Sequence, residues 1–161
     1  MTTPLFSIAI PTFNRSDLFP YAVQSILNQT FDDFEIIVSD NCSSDDTAQV
    51  ARQFEDRRFK YVKPPSHCTI ADNWEFARSH ASGKFIMMLS DDDALLPGAL
   101  ERFAGEARDN NADFVFCKPA YYRDLGYPGR DRNSVDCPSF SGLSRIVDTK
   151  DFIGPLFLCR D

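Results

Sequence analysis

The sequence predicts an α/β fold, a mostly parallel β-sheet with helices on both faces. Short, continuously apolar runs alternate with longer amphipathic stretches, as strands buried on both faces alternate with crossover helices. The runs stop at Pro, or at clusters of Ser, Asn and Asp that read as turns and helix starts. Polar clusters recur at the carboxyl ends of the runs, where doubly wound sheets bind their ligands.

The elements follow in order. "LFSIAI" (5–10) is the first strand and stops at Pro11. After "PTFNR", Ser16 is the expected N-cap, Pro20 sits in the first turn where it is tolerated, and Val23, Ile26 and Leu27 form an apolar stripe. "FEIIVS" (34–39) is the second strand. In the following "DNCSSDD", Ser43 or Ser44 is the expected cap, and Asp45 and Asp46 suit the positive end of a helix carrying Val50, Ala51 and Phe54. "FKYV" (59–62) is a third strand, and the Pro64–Pro65 pair opens a loop. A helix is predicted from about Ala71 to Ala81, ended by Gly83. "FIMML" (85–89) is strand four, Pro97 starts a helix to about Asp109, and "DFVFC" (113–117) is strand five.

From Lys118 the pattern degrades. "YYRDLGYPGRDRNSVDCPSFSG" is rich in Gly, Pro and charge and shows no period; loops this long are usually functional or mobile. A weak helix is expected over 143–152, and "GPLFLCRD" reads as the beginning of a further strand. The expected organisation is therefore an α/β core over 1–117 and an irregular region over 118–161, the fold being expected to be C-terminally incomplete.

Composition narrows the function. With 161 residues, 43% hydrophobic content and 15 Phe, the chain can build one real core. A net charge of −7 argues against nucleic acid as the main partner, and an anionic ligand would need local cations. Cys42, Cys68, Cys117, Cys137 and Cys159 show no metal-type spacing and read as reduced thiols of a cytosolic protein. No apolar run approaches the ~20 residues of a membrane span, and no signal segment leads the chain. A soluble, cytoplasmic protein is expected.

The chemistry concentrates in "FIMMLSDDDALLPGAL" (85–100), where an apolar strand runs into Asp91, Asp92 and Asp93. Two carboxylates about 4 Å apart repel by roughly 1 kcal/mol in water and roughly 4 kcal/mol near a protein surface. A divalent ion, Mn2+ or Mg2+, bridging a diphosphate would cancel that repulsion and let an acidic protein bind an anion. Taken alone, an Asp triplet is more simply solvated, or Asp93 caps the next helix; "SDNCSSDD" alone is a helix start and "PTFNR" alone a turn. What favours a site is that all three clusters close neighbouring strands.

These segments, "IPTFNR", "IIVSDNCSSDDT" and "NWEFARSHASGKFIMMLSDDDALLPGAL", with their spacings, resemble the nucleotide-sugar-binding half of a family 2 glycosyltransferase over residues 5 to about 117. The resemblance implies a Rossmann-like GT-A fold, with 1–117 as the donor-binding core and 118–161 as the start of the acceptor side. It implies metal-dependent transfer of a sugar from a nucleotide-diphosphate sugar, most simply a UDP-sugar, to a glycan or lipid-linked acceptor, usually with inversion. Surface polysaccharide synthesis and peripheral membrane association through the acceptor are family-level expectations. By position, Pro11, Thr12, Phe13 and Asn14 line the nucleoside pocket, Asp40 and Asn41 contact base and ribose, Asp91 lies on the ribose or sugar side, and Asp92, with Asp93, holds the metal. Two positions depart from the family pattern: Asn41 replaces the second of two paired acids, and Ser90 replaces the first acid of D-x-D. The inverting general base is expected beyond Asp161, with Asp148, Asp151 and Asp161 as ordinary solvated acids.

A non-catalytic nucleotide-sugar-binding module is the alternative. A phosphoacceptor receiver domain would need an acid pair after the first strand, and a sugar-nucleotide pyrophosphorylase a Gly-rich basic loop there; "PTFN" is neither. His67 and His80 read as surface residues and Trp74 and Phe76 as core. Cys42 lies beside the nucleoside pocket without a base to activate it. Arg57, Arg58 and Lys60 read as a solvated edge, within reach of a phosphate for one of them.

Overall fold

The computed structural model describes residues 3–109, 113 and 115, and the backbone of the strand pair Tyr121–Tyr122 and Val135–Asp136. The chain divides into two compact units, Met1–Ala104 and Gly105–Asp161. In the first, strands β1 (Phe6–Thr12), β2 (Phe34–Asp40), β3 (Phe59–Val62) and β4 (Phe85–Met88) form one sheet of order β3-β2-β1-β4. Every pairing is parallel. Helices α1 (Phe19–Leu27), α2 (Thr47–Ala51), α3 (Ile70–Ser79) and α4 (Ala99–Asp109) complete the alternation.

Side chains alternate between the two faces of the sheet, and β1 and β2 are buried on both. Ile8, Ile10, Ile36 and Val38 form one core with Phe19, Ala22, Val23 and Ile26 of α1, Ala51 of α2, and Leu100 and Ala104 of α4. On the other face Ser39 donates to the Asn73 side chain of α3 at 2.7 Å, beside buried Ala77. The chain steps outward from β1 to β3 and then returns across the sheet to β4 on the far side of β1. This reversal makes the gap between the ends of β1 and β4 the topological switch point.

Several local expectations need correction. Strand β1 does not stop at Pro11 but continues through Thr12, paired to Asp40. Asn41 donates its amide to Thr12, and Leu89 donates to Ala9. Pro11 therefore aims its missing N–H toward β4, just past where β4 stops pairing, so no ladder bond is lost. Helix α1 starts at Phe19 with no side-chain cap, because its N-cap position is Leu18; Ser16 lies two residues earlier, its amide donated to Asp45. Helix α2 starts at Thr47, with neither Ser43 nor Ser44 as its cap. Thr69 caps α3 by accepting from the Asp72 amide. Asp93 caps nothing, since α4 begins at Ala99. Trp74, expected in the core, is 44% exposed, because α3 buries the stripe of Asn73 and Ala77.

In the second unit, β5 (Tyr121–Tyr122) and β6 (Val135–Asp136) pair antiparallel. The strand predicted over 113–117 falls largely outside the described residues, as do the helix over 143–152 and the strand after Gly154. Among the described residues no helix is long and apolar enough to cross a membrane.

Candidate functional site

The three polar clusters do meet at one edge of the sheet. Pro11 and Thr12 are the last residues of β1, buried in the sheet, and Phe13 and Asn14 begin the turn beyond it. The Thr12 hydroxyl donates to Asp91 Oδ2 at 2.7 Å across 79 positions of sequence, tying the ends of β1 and β4 together. This bond spans the switch point.

The loops after β1 and β2 are laced to each other. Asn14, at φ 52°, donates its amide to Ser43 Oγ at 2.8 Å and accepts the Ser44 amide at 2.8 Å. Left-handed backbone is tolerated by Asn better than by most residues. Asp45 accepts the Ser16 amide at 3.0 Å and the Thr47 hydroxyl at 2.5 Å. Burial opposes ionisation of Asp45, but the hydrogen bonds from Thr47 and Ser16 hold its carboxyl at about 2.

Asp40 is fully buried. Its carboxylate accepts the Ser43 amide at 2.8 Å and the Tyr61 hydroxyl at 2.5 Å, with Lys63 Nζ 3.3 Å away. Burial pushes its pKa up, and the hydrogen bonds from Ser43 and Tyr61 with the Lys63 charge overcome this and hold it below the usual range. Asn41 is also buried, and its side chain pairs with the Cys68 backbone, Oδ1 accepting the amide and Nδ2 donating to the carbonyl, each at 2.9 Å. That pairing brings His67 beside Phe13, with ring centroids 4.7 Å apart. Cys42, at φ 60°, points its thiol at the Pro64 carbonyl.

The triplet itself is unevenly satisfied. Burial pushes the Asp91 carboxyl above the usual carboxylate range, with the Asp92 charge adding to it, against the opposing Thr12 hydrogen bond and Arg15 charge. Asp92 is half exposed; Oδ1 accepts from Ser90 Oγ at 2.6 Å and Oδ2 lies 3.5 Å from Arg15. The Ser90 hydrogen bond, more than the Arg15 charge, holds it below its ordinary value. Asp93 is exposed, its amide closing a turn onto the Ser90 carbonyl at 3.1 Å. Among the described residues no three His, Cys, Asp or Glu side chains converge as a metal cage. Magnesium-type ions need none: they use one or two carboxylates, waters and substrate phosphates. Asp92, exposed and next to Asp91 and Asp93, fits that donor set.

Some participants were not anticipated from sequence. Arg15 stood in the quoted "PTFNR", but nothing local shows that it faces Asp92. Tyr61, Lys63 and His67 come from β3 and the loop after it, brought to the edge only by strand pairing. Conversely, Arg58 and Lys60 are not a free edge. Arg58 pairs with Asp32 and Asp56, each at 2.8 Å, and lies over the Phe34 ring, while Lys60 pairs with Glu35 at 2.6 Å. Asp148, Asp151 and Asp161 lie outside the described residues.

Comparison with known proteins agrees with this geometry. The family model Glycosyl transferase family 2 matches residues 7–158. The chain is 43% identical over 112 residues to the GalNAc(5)-diNAcBac-PP-undecaprenol beta-1,3-glucosyltransferase of Campylobacter jejuni, covering 68% of this chain and 36% of that protein. It is 31% identical over 112 residues to the UDP-Glc:alpha-D-GlcNAc-diphosphoundecaprenol beta-1,3-glucosyltransferase WfgD of Escherichia coli, covering 70% and 44%. The chain thus spans less than half the length of either relative. In fold it matches S. aureus TarS 1-349, solved with UDP-GlcNAc, at a TM-score of 0.64 and 24% identity over 67% of this chain and 32% of that one. The parallel sheet, its switch-point acids and these matches together lead to one conclusion: the chain belongs to glycosyltransferase family 2 and has the GT-A fold.

Proposed function

We propose that this chain is the donor-binding part of a metal-dependent, inverting glycosyltransferase. It uses a nucleotide-diphosphate sugar, a UDP-sugar, and transfers the sugar to a hydroxyl of a glycan or lipid-linked acceptor in surface polysaccharide synthesis. The observation that carries this reading is the Thr12–Asp91 bond at the switch point, which leaves Asp92 half exposed beside Arg15. Pro11 to Asn14 with Asp40 and Asn41 frame the nucleoside, and Asp91 lies on the ribose or sugar side. Asp92, assisted by Asp93, would hold Mn2+ or Mg2+, which when bound supplies positive charge to the diphosphate leaving group. Arg15 provides the local cation that an acidic protein needs for an anionic donor. The acceptor's proton goes to a carboxylate outside the described residues.

The named relatives support the acceptor class: both act on diphosphoundecaprenol-linked glycans by name. A Pyrobaculum calidifontis mannosyltransferase solved with GDP-Man and Mn2+ shares the fold at a TM-score of 0.53 and 22% identity over 58% of this chain and 29% of that one. A lipid-linked acceptor would bring the protein to the cytoplasmic face of a membrane peripherally. The test is calorimetry with nucleoside diphosphates, with and without Mn2+. The expected result is metal-dependent UDP binding that Asp92→Asn abolishes while the melting temperature stays unchanged. Unchanged affinity in that variant would remove Asp92 from the site. Donor binding without any turnover in a full-length parent enzyme would instead favour the non-catalytic module.

A further inference from the structure

Helix α1 does more than cover the sheet. Its start hangs from Arg15, whose carbonyl accepts the amides of Leu18 and Phe19 at 3.0 and 3.1 Å. Its other end grips the segment that follows the acid triplet. Ser25 Oγ donates to the Ala22 carbonyl at 2.7 Å and accepts the Leu95 amide at 3.0 Å. Gln29, just past the helix and 7% exposed, uses both ends of its side-chain amide. Nε2 donates to the Ser25 and Leu96 carbonyls, each at 3.0 Å, and Oε1 accepts the Leu100 amide at 3.2 Å. A buried amide is costly unless it is hydrogen-bonded, and this one is. Leu100 is the second residue of α4, so its N–H has no partner within that helix; Gln29 supplies one from outside.

The backbone held in this way is a defined turn. The Ala99 amide closes onto the Leu96 carbonyl at 3.1 Å around Pro97 and Gly98, with Gly98 at φ 75°. Proline followed by a left-handed glycine is the type II pattern. On the other side of the triplet, Leu89 donates to the Ala9 carbonyl and Asp91 accepts from Thr12. Residues 90–94 therefore form an arch with one foot on β1 and the other on α1. Asp92 is bonded within the arch to Ser90, and outside it to Arg15 at 3.5 Å. Its place is set by the two feet.

We propose that Gln29 and Ser25 are positioning residues for the metal–diphosphate site. Through Leu95, Leu96 and Leu100 they fix the far foot of the arch, and so set where Asp92 stands relative to Arg15 at the head of the same helix. This rests on the donor-binding reading above and adds that α1 governs the spacing of cation and acids. A ligand group already in place needs less ordering when the ion arrives, and partners that orient metal ligands are commonly worth tenfold or more in metal affinity.

Calorimetry of UDP binding by the full 161-residue chain, with and without Mn2+ and well below the unfolding temperature, tests this. The quantity read is the gain in affinity that Mn2+ brings, which a loss of stability does not change while the chain stays folded. Where metal-free binding is too weak to measure, the Mn2+ concentration giving half-maximal UDP binding makes the same comparison. Gln29→Met keeps the length of the side chain without its amide, and should reduce the gain roughly tenfold while metal-free affinity is unchanged. Ser25→Ala removes the acceptor of the Leu95 amide and should reduce it roughly threefold, the scale of one ordinary hydrogen bond. Hydrogen exchange needs no metal: the amides of residues 90–96 should exchange faster in either variant, with those of β1 still protected. A wild-type gain, or wild-type exchange over 90–96, in a folded Gln29→Met overturns the proposal and leaves donor binding standing. If Gln29→Met does not fold, Ser25→Ala decides by the same two readings. Equal weakening with and without Mn2+ makes the two residues purely structural and also overturns it. A wild type that binds UDP no better with Mn2+ than without overturns the metal reading, and this one with it.

Discussion

Glu35 at the amino end of β2 and Asp92 after β4 are both carboxylates next to a cation, at opposite edges of one sheet. Glu35 is 6% exposed, and its oxygens accept from Ser7 Oγ, Ser82 N, Ser82 Oγ and Lys60 Nζ at 2.6–2.8 Å. It joins β1, β2, β3 and the approach to β4 at the edge where no ligand is expected. Asp92 has one short hydrogen bond, from its neighbour Ser90, and a loose pairing with Arg15, with half its side chain exposed. A carboxylate whose lone pairs are filled by protein donors fastens the fold, and one left partly open can take a metal or a phosphate-bound ion. The difference separates acids that are used up in the fold from acids left open, without reference to sequence position.

Breaking the filled cluster should have the largest effect. Glu35→Ala leaves Lys60, Ser7 and Ser82 without their acceptor and is expected to cost about 3 kcal/mol in urea unfolding, in the range found when one partner of a buried pair is removed. The pH profile gives the same information. Burial pushes the Glu35 carboxyl up, but Lys60, Ser7 and Ser82 pull it down to about 2 from 4.5. A depressed folded pKa contributes stability that is complete above about pH 4.5 and is lost as pH falls toward 2, about 3 kcal/mol in all. In Glu35→Gln that part of the acid loss should be missing; an acid transition identical to wild type would show that other carboxylates govern it.

Next comes Gly83, whose amide donates to Ser7 Oγ at 2.7 Å in the same cluster. A Cβ there would meet Ser7 N at 2.6 Å and the Phe6 carbonyl carbon at 2.8 Å. Backbone cannot step aside as a flexible side chain can, so Gly83→Ala should lose about 2 kcal/mol. A melting temperature equal to wild type would mean that β4 shifts freely against β1.

At the open edge the balance reverses. Arg15→Ala removes an exposed pair and should change stability by less than about 0.5 kcal/mol. It should nonetheless weaken UDP binding by roughly tenfold at low salt and flatten its salt dependence. Full affinity in that variant would make Arg15 a bystander. The smallest effect is expected from Asp91→Asn. Because the folded protein holds this carboxyl above its ordinary pKa, the charged form costs stability once pH rises through that window. Asn can still accept from Thr12, so the variant should be slightly more stable at neutral pH while binding the metal–diphosphate less well. A drop in stability would show that the Thr12–Asp91 bond needs the charge.

Strands β2 and β3 were legible nearly to the residue because β-branched and aromatic residues dominate them, bounded by turn residues. Helix starts were less so. Ser16, Ser43 and Ser44 are good caps by type, but the loop-to-loop bonds with Asp45 and Asn14 claimed their groups first. Trp74 failed differently. Helix α3 is short and its buried stripe holds Asn73 and Ala77, so the large apolar residue lies off the stripe. Of the proposed site, the clusters on the strand ends were readable, whereas the partners contributed by β3 and its loop were not.

By itself the sequence determined the order of strands and helices and the acids, amides and hydroxyls that close the strands, because side-chain alternation and turn chemistry are local. The tertiary structure alone decided which of those groups are used up and which are left open. Thr12 meets Asp91, Tyr61 meets Asp40 and His67 meets Phe13 across long stretches of chain. Such pairs depend on strand order and register, which no local period specifies, and they determine whether a carboxylate ends as a fastening or as an open ligand.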